Sequence, residues 1–295
     1  MTLEQLRVFV AVAEREHITR ASESLNLTQS AVSSAIAALE QEFGLKLFHR
    51  VGRGIVQTES GKFFLEEARA ILARTLAAKT SVMEFSSLVR GRLSICASQT
   101  ISSYFLPAHL VNFHRAFPGV ELAVSTGNTT DVARAVLNGD AELGFVEGPV
   151  SDPHLAVEVV GTDQMIIVVP PGHAWAGKAA IGVAELMAGN WVLREDGSGT
   201  RAVFANALGA IGVDAARLRV NIALPSNEAV RQAVEQGAGA AALSALVCAE
   251  SIAAGRLARV NVTLPPRDFH AVQHADRYRS RSVAALLLQL RQLAG

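Results

Sequence analysis

Hydrophobic and polar positions change period along the chain, and each change marks a new kind of element. From Thr2 to Phe43 apolar residues recur in steps of three and four. Leu3, Leu6, Val10 and Ala13 predict a first helix over about Thr2 to Arg15, with Thr2 placed to cap it. A short second helix is expected from about Thr19 to Leu25. After a tight turn a third opens behind Thr28, with Val32, Ile36, Leu39 and Phe43 on one face and Ser30, Ser34, Ala37 and Gln41 on the other. Gly44 closes it. Two short apolar runs, Leu47 to Val51 and Ile55 to Thr58, flank Gly52-Arg53-Gly54 and predict a hairpin.

A long helix is expected from about Ser60 to Val89. Phe64, Ala68, Ile71, Thr75, Ala78, Val82, Phe85 and Val89 alternate steps of four and three, a heptad seam. The simplest partner for it is the same helix of a second subunit; packing against its own domain is the alternative. Arg90-Gly91-Arg92 ends the helix. Beyond it, strand-like runs (LSICAS, VELAVST, ELGFVEG, MIIVV, WVLR, LRVNIA, AAALSA) alternate with helical stretches near Ser102 to Phe117, Thr130 to Asn138, Thr200 to Leu208, Ser226 to Gln236 and Leu246 to Ala254. A last helix is expected at Ser282 to Leu293. Such alternation predicts an α/β fold with largely parallel sheets.

Composition adds bounds. With 295 residues, 50% hydrophobic and 18% charged, the chain has material for about two domains. No run approaches the ~20 apolar residues of a membrane span. The N-terminus interleaves acids with its apolar residues and shows no cleavage pattern, so a cytoplasmic protein is expected. Formal net charge is zero, so any nucleic-acid contact must be local. Lys46, Arg50 and Arg53, with His49 beside them, cluster on the hairpin next to the slim polar face of the third helix. A helix of that kind can enter a major groove while the hairpin takes phosphate or the minor groove. Cys96 and Cys248 lie far apart in apolar surroundings and read as buried thiols, not a redox pair.

These features, taken in order, resemble one family. LRVFVAVAE, TRASESLNLTQSAVSSAIAALEQEFGLKLFHR and TESGKFFLEEA match in order and spacing the N-terminal signature of the LysR-type transcriptional regulators. Many relatives have proline where this chain has Ser30. The resemblance implies a winged helix-turn-helix over 1–58, a linker and dimerisation helix over 59–90, and an effector-binding domain of periplasmic-binding-protein-like architecture over 91–295. Its sub-domains would comprise 91–162 with 267–295, and 163–266, joined near Gly161 to Gln164 and Leu264 to Arg267. Implied partners are a double-stranded DNA operator, a second subunit giving a homodimer or homotetramer, and RNA polymerase; no membrane is implied. Gln29, Ser33 and Ser34 are expected at or near bases. Thr28, Ser30, Arg50 and Arg53 are expected on the backbone or in the minor groove.

Four polar motifs in the second half follow strands and precede helices. They are Ser98-Gln99-Thr100 with Ser102 just beyond, Asn128-Thr129 within GNTT, Ser198 to Arg201 within GSGTR, and Ser226-Asn227 within PSNE. Open α/β sheets bind small molecules at such places. Free amides at helix N-termini favour an anion, and Arg201 would add a fixed positive charge. The expected effector is therefore an inorganic oxyanion, such as sulfate or sulfite, or a short carboxylate, with no other cofactor. Glu147, near the cleft mouth, is read either as a contact for a cationic group or as a bridge between sub-domains. VEGPV and LREDGSGTR resemble a branch of the family tied to sulfur or one-carbon assimilation.

An enzyme is not expected. GlySerGly at 197–199 is not a nucleophile elbow, and no P-loop or dinucleotide fingerprint follows a strand. His270 and His274 stand four apart on a stretch read as strand, without a carboxylate or cysteine cluster to complete a metal site. The competing class is a cytosolic small-molecule binding protein or enzyme built on the α/β half, with the helical part used only for dimerisation.

Overall fold

The computed structural model describes residues 1–51, 54–83 and 91–294. Gly52, Arg53, Phe85, Val89 and Arg90, and the Val82 side chain, lie outside the described residues. The chain divides into two compact units.

In the N-terminal unit, α1 (Leu3–Arg15) begins with a capping box between Thr2 and Gln5. Its buried stripe runs through Leu6, Phe9, Val12 and Ala13, whereas Leu3 is 43% exposed and Val10 only partly covered, so the core face is rotated from the expected one. Next come α2 (Ile18–Leu25) and α3 (Gln29–Phe43). Asn26, left-handed at φ 54°, turns the chain between them, and its amide closes the last turn of α2. Val32, Ile36 and Leu39 of α3 are buried as expected, while Phe43 stays 38% exposed at the rim.

The strands β1 (Phe48–Val51) and β2 (Gly54–Gln57) pair antiparallel as the hairpin. The linker helix α4 (Glu59–Met83) then turns the first part of its seam inward. Ala68 is fully buried in the domain core, Ile71 is partly buried there, and the Phe64 ring lies 4.7 Å from that of Phe9. These three positions pack on their own domain, because the apolar side of α1 lies within reach. Thr75 and Ala78 are exposed.

The C-terminal unit opens with β3 (Gly91–Ser98), a π-helical turn at Ile101–Phe105, α5 (Leu106–Ala116), β4 (Val120–Gly127), α6 (Thr129–Asn138) and β5 (Leu143–Val146). The long strand β6 (Leu155–Val169) leads to α7 (Val183–Ala188), β7 (Asn190–Arg194), α8 (Gly199–Ala210), β8 (Arg219–Leu224), α9 (Asn227–Glu235), β9 (Ala241–Ser244), α10 (Ala245–Ala253) and β10 (Ala258–Arg259). The return strand β11 (Pro266–His274) and α11 (Arg281–Ala294) complete it.

Within this unit β3 pairs parallel with β4 and β5, and β7 with β8. The sheet is nevertheless mixed, not largely parallel. β6 and β11 run antiparallel to each other through both sub-domains, and β9 and β10 join β6 antiparallel. The junctions expected near Gly161 to Gln164 and Leu264 to Arg267 are two paired strands, with a bulge between Phe269 and His270. One core gathers Ile95, Phe113, Phe145, Phe269 and Leu286; another, formed by residues between Met165 and Leu264, gathers around Trp191.

Cys96 and Cys248 are buried, and burial pushes the Cys248 thiol up to about 12. A thiolate is the reactive species. At pH 8 the native protein is therefore expected to resist a thiol-modifying reagent at Cys248 and to react once denaturant is added. Mass spectrometry showing rapid native labelling of Cys248 would contradict this burial.

Candidate functional site

Two surfaces carry the chemistry, one in each unit. On the first, Thr28 caps α3, its hydroxyl accepting from the Ala31 amide at 3.2 Å and lying 3.0 Å from the Ser30 hydroxyl. Gln29, Ser30, Ser33 and Ser34 are all exposed along the leading turns of α3, with Thr28 at its tip. The wing is tied to this helix by one side chain. Glu40 accepts from the Leu47 amide at 2.9 Å and the Phe48 amide at 3.3 Å, and from Lys46 Nζ at 2.6 Å. Burial raises the Glu40 pKa, but Lys46 and the two amides outweigh it and hold the carboxyl below its usual range. Arg50 and His49 are exposed on β1.

The second surface lies between the sub-domains of the C-terminal unit and centres on Glu147, which is 3% exposed. Its carboxylate accepts from the Ser98 hydroxyl, from Thr100 Oγ1 at 3.3 Å and from Thr200 Oγ1 at 3.1 Å. Ser98 and Thr100 come from the first sub-domain and Thr200 from the second, so one carboxylate joins both walls.

The direction of these bonds is set from behind. Thr100 accepts from Asn227 Nδ2 at 2.9 Å, while Asn227 Oδ1 accepts from Arg194 Nη1 at 2.6 Å. Thr200 accepts from Arg267 Nη1 at 3.0 Å. Each threonine therefore spends an acceptor lone pair outward and its proton inward, making a cage of donors. Arg267 in turn grips Asp163 at 2.8 and 2.6 Å, and Asp163 also accepts from Ser244 at 2.8 Å. Arg267 and Asp163 face each other in register on the crossing strands β11 and β6.

Further contacts close the cleft. The Asn227 amide donates to Gln99 Oε1 at 2.5 Å, and the Tyr104 hydroxyl to Glu228 at 3.1 Å. Burial, reinforced by Glu228, raises the Tyr104 pKa. Gly148 and Gly199 meet so closely that a Cβ on Gly148 would stand 2.5 Å from the Gly199 Cα. Beside them Thr129 Oγ1 is buried without a hydrogen-bond partner. The first-turn amides of Gly199 and Thr200 have no acceptor within α8.

Of the residues expected here, Ser98, Gln99, Thr100, Glu147, Thr200 and Asn227 form the network, and Thr129 adjoins it. Ser198 and Ser226 cap α8 and α9, and Asn128 exchanges bonds with Asp131 at the start of α6. Ser102 donates to the Gln99 carbonyl. Arg201 does not offer its charge to the cleft. Its Nη1 lies 3.1 Å from the Arg194 carbonyl and 3.0 Å from Asp196, which draw it toward solvent. The buried cations here are Arg194, bonded to Asn227, and Arg267, which approaches Glu147 to 3.8 Å. Arg267 and Arg194 went unmarked in the sequence; the available signal was an arginine ending an apolar strand (WVLR) or opening one (RDFHAV). Glu147 contacts hydroxyls and bridges the sub-domains. His270 and His274 lie on β11, and among the described residues no cluster of three or more His, Cys, Asp or Glu is arranged to hold a metal ion.

Comparison with known proteins agrees with this layout. Residues 3–62 match the model for the bacterial regulatory helix-turn-helix protein, lysR family, and residues 86–295 match the LysR substrate binding domain. The chain belongs to the LysR family. This regulator is 33% identical over 292 residues to the Escherichia coli K12 HTH-type transcriptional regulator YeiE, covering 97% of this chain and 96% of that one. The regulatory domain of CcmR from Synechocystis PCC6803, solved in complex with 2-PG, aligns at 26% identity and TM-score 0.63, over 70% of this chain and 98% of that domain. Full-length CbnR complexed with its target DNA has the same fold, at 20% identity, TM-score 0.70 and full coverage of both chains. The regulator is a DNA-binding transcription factor with an effector-binding domain, and its relatives are transcriptional regulators. The reading of the helical part as a mere dimerisation device is overturned by its match to a DNA-binding domain. Among the described residues no helix is long and apolar enough to cross a membrane.

Replacing Thr200 by Val would leave Arg267 Nη1 without its acceptor and Glu147 without one of its donors. A buried polar group left unpaired costs about 1–3 kcal/mol. The thermal transition of the C-terminal unit is expected to fall accordingly, and calorimetry showing no shift would contradict the network.

Proposed function

We propose that this regulator reads its operator with Gln29, Ser33 and Ser34 of α3. Thr28, Ser30, Arg50 and Arg53 hold the phosphate backbone or minor groove. The exposure of the α3 tip and the rigid Glu40 link to the wing support this assignment. The active species is at least a homodimer, with a homotetramer expected, and RNA polymerase is its partner at the promoter. A cytoplasmic location is supported by the membership in a DNA-binding family. The regulatory domain binds its ligand without transforming it.

The effector is a small anion held between the two regulatory sub-domains. The observation that carries this is the cage around Glu147, in which two threonine hydroxyls are held as donors by Asn227 and Arg267. Donors of this kind suit a negative charge, here that of Glu147 itself. The complex of CcmR with 2-PG supports the same reading, as does the resemblance to the sulfur or one-carbon branch. Closure over the ligand changes the linker helices and so the spacing of two half-sites.

Two outcomes are expected. In gel shifts, Arg50→Ala weakens binding to all sequences and lowers its salt dependence, because phosphate neutralisation sets that slope. Gln29→Ala costs about 1–3 kcal/mol at selected base pairs only. Unchanged affinity in both variants would remove the contact assignment. In thermal shift, a panel of small oxyanions and carboxylates should contain members that stabilise the C-terminal unit by about 2.7 kcal/mol at a hundredfold excess over Kd. Thr100→Val should reduce that gain and Arg201→Ala should not. Stabilisation by neutral or cationic compounds alone would sink the anion reading.

A further inference from the structure

The two walls of the regulatory domain touch at both rims and at the centre. At one rim the first-turn amide of Asn227 in α9 donates to Gln99 Oε1, and the Tyr104 hydroxyl donates to Glu228. At the other rim the first-turn amide of Thr130 in α6 donates to the Gly197 carbonyl at 3.4 Å. Gly197 is left-handed at φ 83°, and a Cβ there would lie 3.0 Å from Thr130 Oγ1. First-turn amides have no acceptor within their own helix, so each wall caps a helix of the other. Between the rims stands Glu147, with Gly148 pressed on Gly199 beside it.

The rims and the centre differ in what opening would cost. Tyr104 is 38% exposed and Gly197 is exposed, so water can replace the rim bonds with little net change. At the centre Ser98, Thr100 and Thr200 are at most 2% exposed. Asn227 and Arg267 hold the two threonines as donors. Without the Glu147 carboxylate the closed arrangement would bury these hydroxyls with no acceptor, whereas an open one would hydrate them. Loss of Glu147 therefore penalises the closed arrangement alone. The carboxylate also spans the gap. Glu147 follows β5 in one sub-domain, Thr200 lies in the first turn of α8 in the other, and Arg267 stands on β11, which links them.

We infer that Glu147 is a built-in latch: its carboxylate holds the two regulatory sub-domains shut from within the chain, and parting it from Thr200 and Arg267 is the step that opens them. The latch is independent of which effector the cleft takes, since any ligand seated between the walls has to part the same bonds first. The Asn227 and Thr130 amides, each bonded across the cleft, report the state of the latch. The Ala275 and Val213 amides donate within their own sub-domains, to the His154 and Leu208 carbonyls, and report the fold instead.

The test is hydrogen exchange resolved at single amides on the full-length protein, dialysed free of small molecules. In wild type the Asn227 and Thr130 amides are expected to be protected. Glu147→Ala removes the heavy atoms of one acetate ion. Both amides are then expected to exchange about tenfold faster or more, with Ala275 and Val213 unchanged. Added acetate is expected to restore protection to this variant by filling the vacated place, and acetamide, of the same shape without the charge, is not. Should Ala275 and Val213 also lose protection, Glu147→Gln, which keeps the volume, takes its place with the same tenfold expectation. Rapid exchange of both amides in wild type would overturn the latch. So would a folded variant in which both stay as protected as in wild type, or acetate and acetamide acting alike on Glu147→Ala.

Discussion

The regulatory half of the molecule depends on how one buried carboxylate is held. Glu147 sits between two walls that have no covalent link except the paired strands β6 and β11, and it takes protons from hydroxyls on both. A buried charge is tolerated only where hydrogen bonds and an opposite charge replace its lost hydration. That requirement explains the shell behind the cage. Asn227 and Arg267 orient the hydroxyls, Arg194 orients Asn227, and Asp163 with Ser244 anchors Arg267. Each member is a positioning group for the next. Because Arg267 and Asp163 pair across the two crossing strands, the charge that steadies the cage is mounted on the strands that link the two walls.

The DNA-binding half solves a smaller problem in the same manner. A neutral domain cannot rely on bulk charge, so its contacts must be placed by geometry. Glu40 is the device for this. One carboxylate near the end of α3 takes the Leu47 and Phe48 amides and the Lys46 ammonium, fixing where β1 begins relative to the recognition helix. Behind it the α4 helix contributes Phe64, Ala68 and Ile71 to the domain core. Further along the helix, Thr75 and Ala78 are exposed.

The limits of the sequence follow the same physics. Helices with caps and one apolar face were legible almost to the residue, as Thr2, Thr28 and Gly44 show. The cleft loops were legible because hydroxyls at helix N-termini have a stereochemical reason to be there. What escaped was direction and partnership. Arg201 and Arg267 are both arginines beside polar loops, and only the fold decides that one turns to Asp196 and the other inward. Strand β6 was read only in its second half; its first half carries the exposed Val157 and Val159 and runs straight through the junction read at Gly161 to Gln164. Phe64, Ala68 and Ile71 of the heptad seam meet their own core, and period alone cannot say whether a stripe meets its own core or a partner.

The most direct test of this account is a crystal structure of the full-length protein grown without added anions, with the cleft at high enough resolution to place each oxygen. The Glu147 carboxylate is expected inside the cage, within hydrogen-bond distance of Ser98, Thr100 and Thr200, with Arg267 bound to Asp163 and Thr200. A Glu147 side chain turned to solvent, with its three hydroxyls bonded to water or to each other, would contradict it.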